Sequence, residues 1–261
     1  METVTSADGT EIAFERTGSG SPLVLVHGAV TDHKVWEARE LRAPLADQFT
    51  VYAMDRRGHG ESGGDDPYAI ARVFEDVVAV VEAIDEPVTL FGHSTGGLYA
   101  LGAARRTDNV RQVVLYDPFV PSGDEETEQT IMEAITLLEK GKPEEALVLL
   151  LRDGAHFSPE EMDLVRSAPY WQEQVKLMQT VPLEFQALAE YEFDPDQFAQ
   201  MTTPTLLLSG SESYHSYKEA IEVLDDTLPN SHVVTIDGSG HLLTSATARQ
   251  QFIDEIIDFG S

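Results

Sequence analysis

The chain has 261 residues, with 46 acidic and 17 basic side chains, a net charge of −29 and no cysteine. That length suits one large α/β domain or two small ones, with a core that needs no covalent staple. The missing cysteines exclude disulfides, thiolate metal sites and a cysteine nucleophile, and the negative field repels phosphate backbones, so no nucleic-acid partner is expected.

In chain order, Glu11–Arg16, Pro22–His27 and Thr50–Asp55 read as strands. The second contains Leu23, Val24, Leu25 and Val26 in succession, the pattern of a strand buried on both faces. Tyr68–Ile84 has helical periodicity through Ile70, Val73, Phe74, Val77, Val78, Val81 and Ile84. Val88–His93 is a strand, followed at once by a glycine-rich turn and a helix through Arg105, and Val110–Asp117 is the next strand. This alternation predicts an α/β fold with a doubly wound, mainly parallel sheet.

The rhythm breaks between about 121 and 200, where only helical stretches are legible: Glu125–Lys140, Pro143–Leu151, and a helix start at Ser158-Pro159-Glu160-Glu161. It resumes with the strand Thr205–Ser209, a helix around Tyr217–Leu224, the strand His232–Ile236 and a helix Ala246–Phe259. The expected organisation is a core over residues 1–120 and 201–261, interrupted by a helical insertion over 121–200.

One motif carries chemistry. Gly92-His93-Ser94-Thr95-Gly96, placed between a buried strand and a helix, fits the G-x-S-x-G nucleophile elbow. A sharp strand-to-helix turn pushes Ser94 out at the carboxyl edge of the sheet, where the helix N-terminus favours developing negative charge. A serine nucleophile needs a base. His241, in the loose loop Asp237-Gly238-Ser239-Gly240-His241 after the last strand, is the candidate. His93, inside the elbow, is expected to point away from the nucleophile. No histidine pair has the spacing of a zinc helix, so metal catalysis is not expected, and no organic cofactor is implied.

These residues, together with His27-Gly28 after a buried strand and Asp55-Arg56-Arg57-Gly58-His59-Gly60-Glu61-Ser62 after the next, resemble the α/β-hydrolase fold family, in its form with an inserted helical cap. The resemblance implies an eight-stranded sheet, a triad in the order serine, acid, histidine, and an oxyanion hole from the backbone N–H groups of Ala29 and Thr95. In the family's commonest pattern the acid follows the strand after the cap. Here that position is Ser213, which cannot serve, and Glu212 stands one residue earlier. A second family pattern places the acid after the strand before the cap. Leu115-Tyr116-Asp117-Pro118 resembles a Leu-Tyr-acid-Pro subgroup of that kind, so Asp117 is preferred and Glu212 kept as the alternative. Arg56 or Arg57 is expected to pair with a nearby acid. Trp36, Phe157, Tyr170, Trp171, Met178 and Phe185 could line an acyl pocket, with packing inside the cap as the competing use.

The expected function is hydrolysis of a small-molecule acyl bond, foremost a carboxylic ester, through an acyl-enzyme on Ser94. Thioester, amide or C–C bond hydrolysis and perhydrolysis remain as alternatives on the same scaffold, as does a ligand-binding protein with a vestigial triad. No stretch approaches the ~20 apolar residues of a membrane span, and the first residues lack the marks of a signal peptide, so a cytoplasmic protein with no membrane partner is expected. Five lysines against twelve arginines, within so large an acidic excess, favour adaptation to molar salt over an ordinary acidic surface.

Overall fold

The computed structural model describes residues 1–64, 68–121 and 125–260. Eight strands form one sheet: β1 (Glu2–Thr5), β2 (Glu11–Gly18), β3 (Ser21–Val26), β4 (Phe49–Met54), β5 (Val88–His93), β6 (Val110–Tyr116), β7 (Thr205–Gly210) and β8 (Ser231–Ile236). Their spatial order is β1-β2-β4-β3-β5-β6-β7-β8. The pairs β1–β2 and β2–β4 are antiparallel, and all pairs from β4 through β3 to β8 are parallel.

The strands that read as continuous apolar runs are the ones covered on both faces. All six residues of β4, β5 and β7 are buried, as are the last five of β3. Alternate residues feed two cores. Val24, Val26, Leu90, Val113 and Leu207 pack with Phe74 and Val77 of the helix Ile70–Glu82 and with Leu98 and Leu101 of the helix Thr95–Ala104. Leu23, Leu25, Phe91, Val114 and Leu208 pack on the other face with Phe252 and Ile256 of the helix Ala246–Phe259.

Three elements of the sheet domain escape the sequence reading. Strand β1 is a short, largely exposed edge strand with no buried alternation to betray it. The helices Val35–Ala38 and Arg42–Ala46 are too short to show a period.

Between β6 and β7 the described residues form helices and turns and no strand. The expected start of this insertion at 121 adjoins residues 122–124, which lie outside the described residues. The helix Pro159–Ser167 begins as its sequence suggests, with a capping box in which Ser158 Oγ accepts from the Glu161 N–H while the Glu161 carboxylate accepts from the Ser158 N–H. The helices build their own core of Ala134, Leu147, Leu150, Met162, Trp171 and Met178, which also takes in Val30 and Leu242 from loops of the sheet domain. Those two contacts seat the helical segment over the carboxyl edge of the sheet.

Candidate active site

Parallel register brings the chemistry together. Gly92 of β5 lies opposite Val26 of β3 on one side and Leu115 of β6 on the other, and Tyr116 of β6 lies opposite Leu208 of β7. The residues that follow β3, β5 and β6, namely His27-Gly28, Ser94 and Asp117, therefore emerge beside Ser209 near the end of β7 at the carboxyl edge, where α/β sheets hold their ligands.

Ser94 has φ 56° and ψ −127°, a strained conformation at the start of the helix Thr95–Ala104. The residues two places before and after it must be glycine. A Cβ on Gly96 would lie 2.2 Å from the Val26 carbonyl oxygen, and one on Gly92 would lie 2.4 Å from that of Gly96. On the facing loop a Cβ on Gly28 would stand 3.1 Å from Ser94 Cβ, so the backbone leading to Ala29 runs close against Ser94. Ala29, Ser94, Thr95 and His241 all border one cavity of about 360 Å³.

His241 is buried between aromatic rings. Tyr217 stacks on it at 4.2 Å between centroids and 13° between planes, and His93 lies 4.5 Å away. Its Nδ1 is 3.2 Å from Asp117 Oδ2. Among the described residues this is the one carboxylate within 4 Å of either ring nitrogen. Asp117 is wholly buried, at φ 42°, and its carboxylate accepts from Ser209 Oγ (2.7 Å) and Ser213 Oγ (2.6 Å). Glu212 is exposed and holds the loop through its backbone, donating its N–H to the Ser239 carbonyl at 2.8 Å. The structure thus brings Asp117 to His241 and leaves Glu212 outside the site.

Of the six expected pocket residues, Phe157, Tyr170 and Phe185 border the cavity. Trp36, Trp171 and Met178 do not. Trp36 packs in the sheet core 5.3 Å from Phe91, and Trp171 and Met178 fill the core of the helical segment, where Trp171 Nε1 donates to Glu144. Aromatic character alone does not reveal which face of a short helix meets a cavity.

His93 corrects a further expectation. It borders the cavity beside His241 and does not turn away from it. Its Nε2 is 3.1 Å from the His241 carbonyl oxygen, so Nε2–H donates and Nδ1 is left to accept from Arg39 Nη1 at 3.1 Å. Burial, reinforced by Arg39, pushes the His93 pKa well below the usual histidine value and keeps the ring neutral. Glu161 is a second residue without a functional sequence signal. Its Oε1 accepts the Leu242 N–H at 2.7 Å, pinning the residue next to His241 to the helical segment.

Behind the site, Arg56 pairs with Glu184 from the helix Val181–Ala189 (2.6 Å) and donates to the Gly28 carbonyl (2.9 Å). Arg57 pairs with Asp76 (2.6 Å). Asp32, His33 and Asp55 also cluster, but their oxygens serve protein donors. Asp55 accepts from the His33 N–H, His33 Nδ1 and the Glu61 N–H, and Asp32 accepts from the Tyr170 hydroxyl and the Lys34 N–H.

Residues 23–255 match the Alpha/beta hydrolase family. The chain belongs to that family. Its structure superposes on that of an alpha/beta hydrolase from Sphaerobacter thermophilus with a TM-score of 0.84 and 30% identity, covering 100% of both chains. The fold is also that of the esterase RhEst1 from Rhodococcus (TM-score 0.77, 24% identity, 99% of this chain and 97% of that one). In sequence, this alpha/beta hydrolase is 40% identical over 102 residues to a pimeloyl-[acyl-carrier protein] methyl ester esterase of Stenotrophomonas maltophilia. That match spans 39% of this chain and 38% of the relative, and a match to an uncharacterized Mycobacterium tuberculosis protein spans 27% of that relative. No helix among the described residues is long and apolar enough to cross a membrane.

Proposed function

We propose that the protein is a serine hydrolase that cleaves a small carboxylic ester through an acyl-enzyme. The observation that carries this reading is the Asp117–His241 pair, at 3.2 Å, opening on the same cavity as a serine held at positive φ. Ser94 Oγ attacks the ester carbonyl while His241 Nε2 takes its proton. Asp117, accepting the Nδ1–H, fixes the tautomer and offsets the imidazolium charge. The N–H groups of Thr95 and Ala29 receive the oxyanion, each such donor being worth roughly 10²–10³ in turnover. His241 returns the proton to the departing alkoxide and then takes one from the water that releases the acid.

The helical segment over 121–200 acts in this reading as a cap that closes the acyl pocket, with Phe157, Tyr170 and Phe185 as its contribution. The esterase relatives favour an oxygen ester over thioester, amide or C–C cleavage. A fluorophosphonate probe should label the wild type and leave Ser94→Ala unlabelled, and p-nitrophenyl esters should turn over in low or molar salt. Silence of both assays in both conditions would leave a ligand-binding protein with a vestigial triad.

A further inference from the structure

Two arginines border the cavity, and they differ in one respect. Arg249 is neutralised: its Nη2 lies 2.7 Å from a Glu40 oxygen and its Nη1 donates to the Leu243 and Thr244 carbonyls. Arg39 has no carboxylate within 4 Å among the described residues. Among the described residues its one side-chain hydrogen bond runs to His93 Nδ1, the acceptor nitrogen of a ring that is kept neutral. Glu161, the acid nearest in effect, spends its oxygens on the Leu242 and Ser158 N–H groups.

A guanidinium carries five N–H donors in a planar fork suited to a carboxylate. Leaving four of them without a protein acceptor, half-buried at a mostly apolar cavity wall, is costly unless an anion or water takes them up. Burial holds the Arg39 pKa down to about 10, so it still carries its charge at neutral pH and gains from an arriving counter-ion. In a chain of net charge −29 an uncompensated cation at such a place is the reverse of the general trend.

Its position bears on the chemistry. The His93 ring that Arg39 touches adjoins the His241 ring, and a Cβ on Gly28 would lie 3.5 Å from the same Nδ1 and 3.1 Å from Ser94 Cβ. Arg39, the oxyanion loop and the nucleophile therefore share one wall.

We infer that Arg39 is a specificity residue that receives a carboxylate, and that the preferred substrate is an ester carrying a second, negatively charged group. This rests on the serine-hydrolase reading for turnover, but the anion site itself is testable without it. Two substrate pairs place the charge on either side of the scissile bond: p-nitrophenyl hydrogen adipate against p-nitrophenyl hexanoate, and 3-acetoxybenzoate against phenyl acetate. At one fixed ionic strength, the wild type should favour the anionic member of at least one pair by about tenfold or more in kcat/KM, the scale of a charge-assisted contact. That ratio should fall towards unity in Arg39→Gln and recover in part in Arg39→Lys, which restores charge without the fork. Calorimetry of adipate binding to Ser94→Ala reads the same site with no chemistry, and adding Arg39→Gln should weaken it about tenfold. Equal ratios in wild type and Arg39→Gln for both pairs would overturn the assignment, as would adipate binding indifferent to Arg39. If no ester turns over yet adipate binding depends on Arg39, the anion site stands and the hydrolase reading fails.

Discussion

Ser213 Oγ donates a 2.6 Å hydrogen bond to Asp117 Oδ2, the oxygen that lies 3.2 Å from His241 Nδ1. The position at which the acid commonly sits in this family is thus occupied by a hydroxyl that braces an acid delivered from the neighbouring strand. Ser209 Oγ does the same for Oδ1 at 2.7 Å.

That arrangement predicts which carboxylate matters. Asp117→Asn should lose most turnover, up to ~10⁴-fold, because the histidine then adopts the wrong tautomer and its charged form goes uncompensated. Glu212→Gln should lose less than about tenfold, roughly 1.4 kcal/mol of transition-state stabilisation. Because the two positions touch, the double variant Asp117→Ser with Ser213→Asp should turn over at least about tenfold faster than Asp117→Ser alone, a transition-state gain of ~1.4 kcal/mol. Steady-state kinetics on one ester decides each comparison, and a double variant no better than the single would deny that the two positions are interchangeable.

Much of this was open to reading because the information is local. Strands β3, β5 and β7 are continuous apolar runs, and the glycines around Ser94 are dictated by backbone contacts as close as 2.2 Å. The preference for Asp117 over Glu212 rests on a four-residue resemblance, and the geometry puts Asp117 beside His241. What stayed hidden depends on tertiary placement. Arg39 follows a four-residue helix with no period to betray its face, and Glu161 reads as a helix cap while its second oxygen grips the His241 loop. Trp36 and Phe157 look alike as aromatic residues, yet one fills the core and the other borders the cavity.

The Arg56–Glu184 pair joins the helical segment to the loop at Gly28, and both side chains are fully buried. Burial alone would raise the Glu184 pKa, but Arg56 and His59 outweigh it and hold the carboxyl well below the usual range. Tyr99 also donates to Glu184, at 2.9 Å. Glu184→Gln would leave the Arg56 charge buried without a counter-ion, which costs about 3–5 kcal/mol in comparable cases. Denaturant unfolding should show that loss, whereas Glu212→Gln, exposed at the surface, should stay within about 0.5 kcal/mol. A stability change of surface size at Glu184 would mean that Arg56 finds other partners.

The net charge of −29 predicts a dependence on salt. Raising ionic strength from 0.1 M to 1 M shortens the Debye length from about 10 Å to about 3 Å and screens the repulsion among exposed acids. Each 1 kcal/mol recovered would raise the thermal midpoint by about 2–4 °C in a domain of this size. Scanning calorimetry across a KCl series should show a steep rise. A flat or falling midpoint would leave the acidic composition as ordinary surface chemistry, without bearing on the proposed hydrolase function.

The buried histidines set a pH window with opposing signs. His27 Nδ1 donates to the Gly28 carbonyl at 2.9 Å and its Nε2 accepts from the Arg56 N–H at 3.1 Å, so like His93 it is bonded as a neutral ring. Burial, with Arg56 and His59 adding to it, pushes its pKa well below the usual value. In the unfolded chain both titrate near 6.5. As the pH falls below that value the unfolded state binds protons that the folded state refuses, and stability drops by up to about 1.4 kcal/mol per unit for each ring. His33 works the other way. Burial opposes its protonation, but Asp55 at 2.8 Å wins and raises its pKa, so its contribution is full below about 6.5 and fades as the pH rises through the folded value. Between pH 7.5 and 5.5 His33 therefore offsets part of the loss from His27 and His93. His33→Gln removes the offset, and its midpoint should fall more steeply with acidification than that of the wild type. Imidazole NMR resonances would check the assignment directly: those of His27 and His93 should stay at their neutral positions down to pH 5.5, and titration of either near 6.5 would refute its burial as a neutral ring.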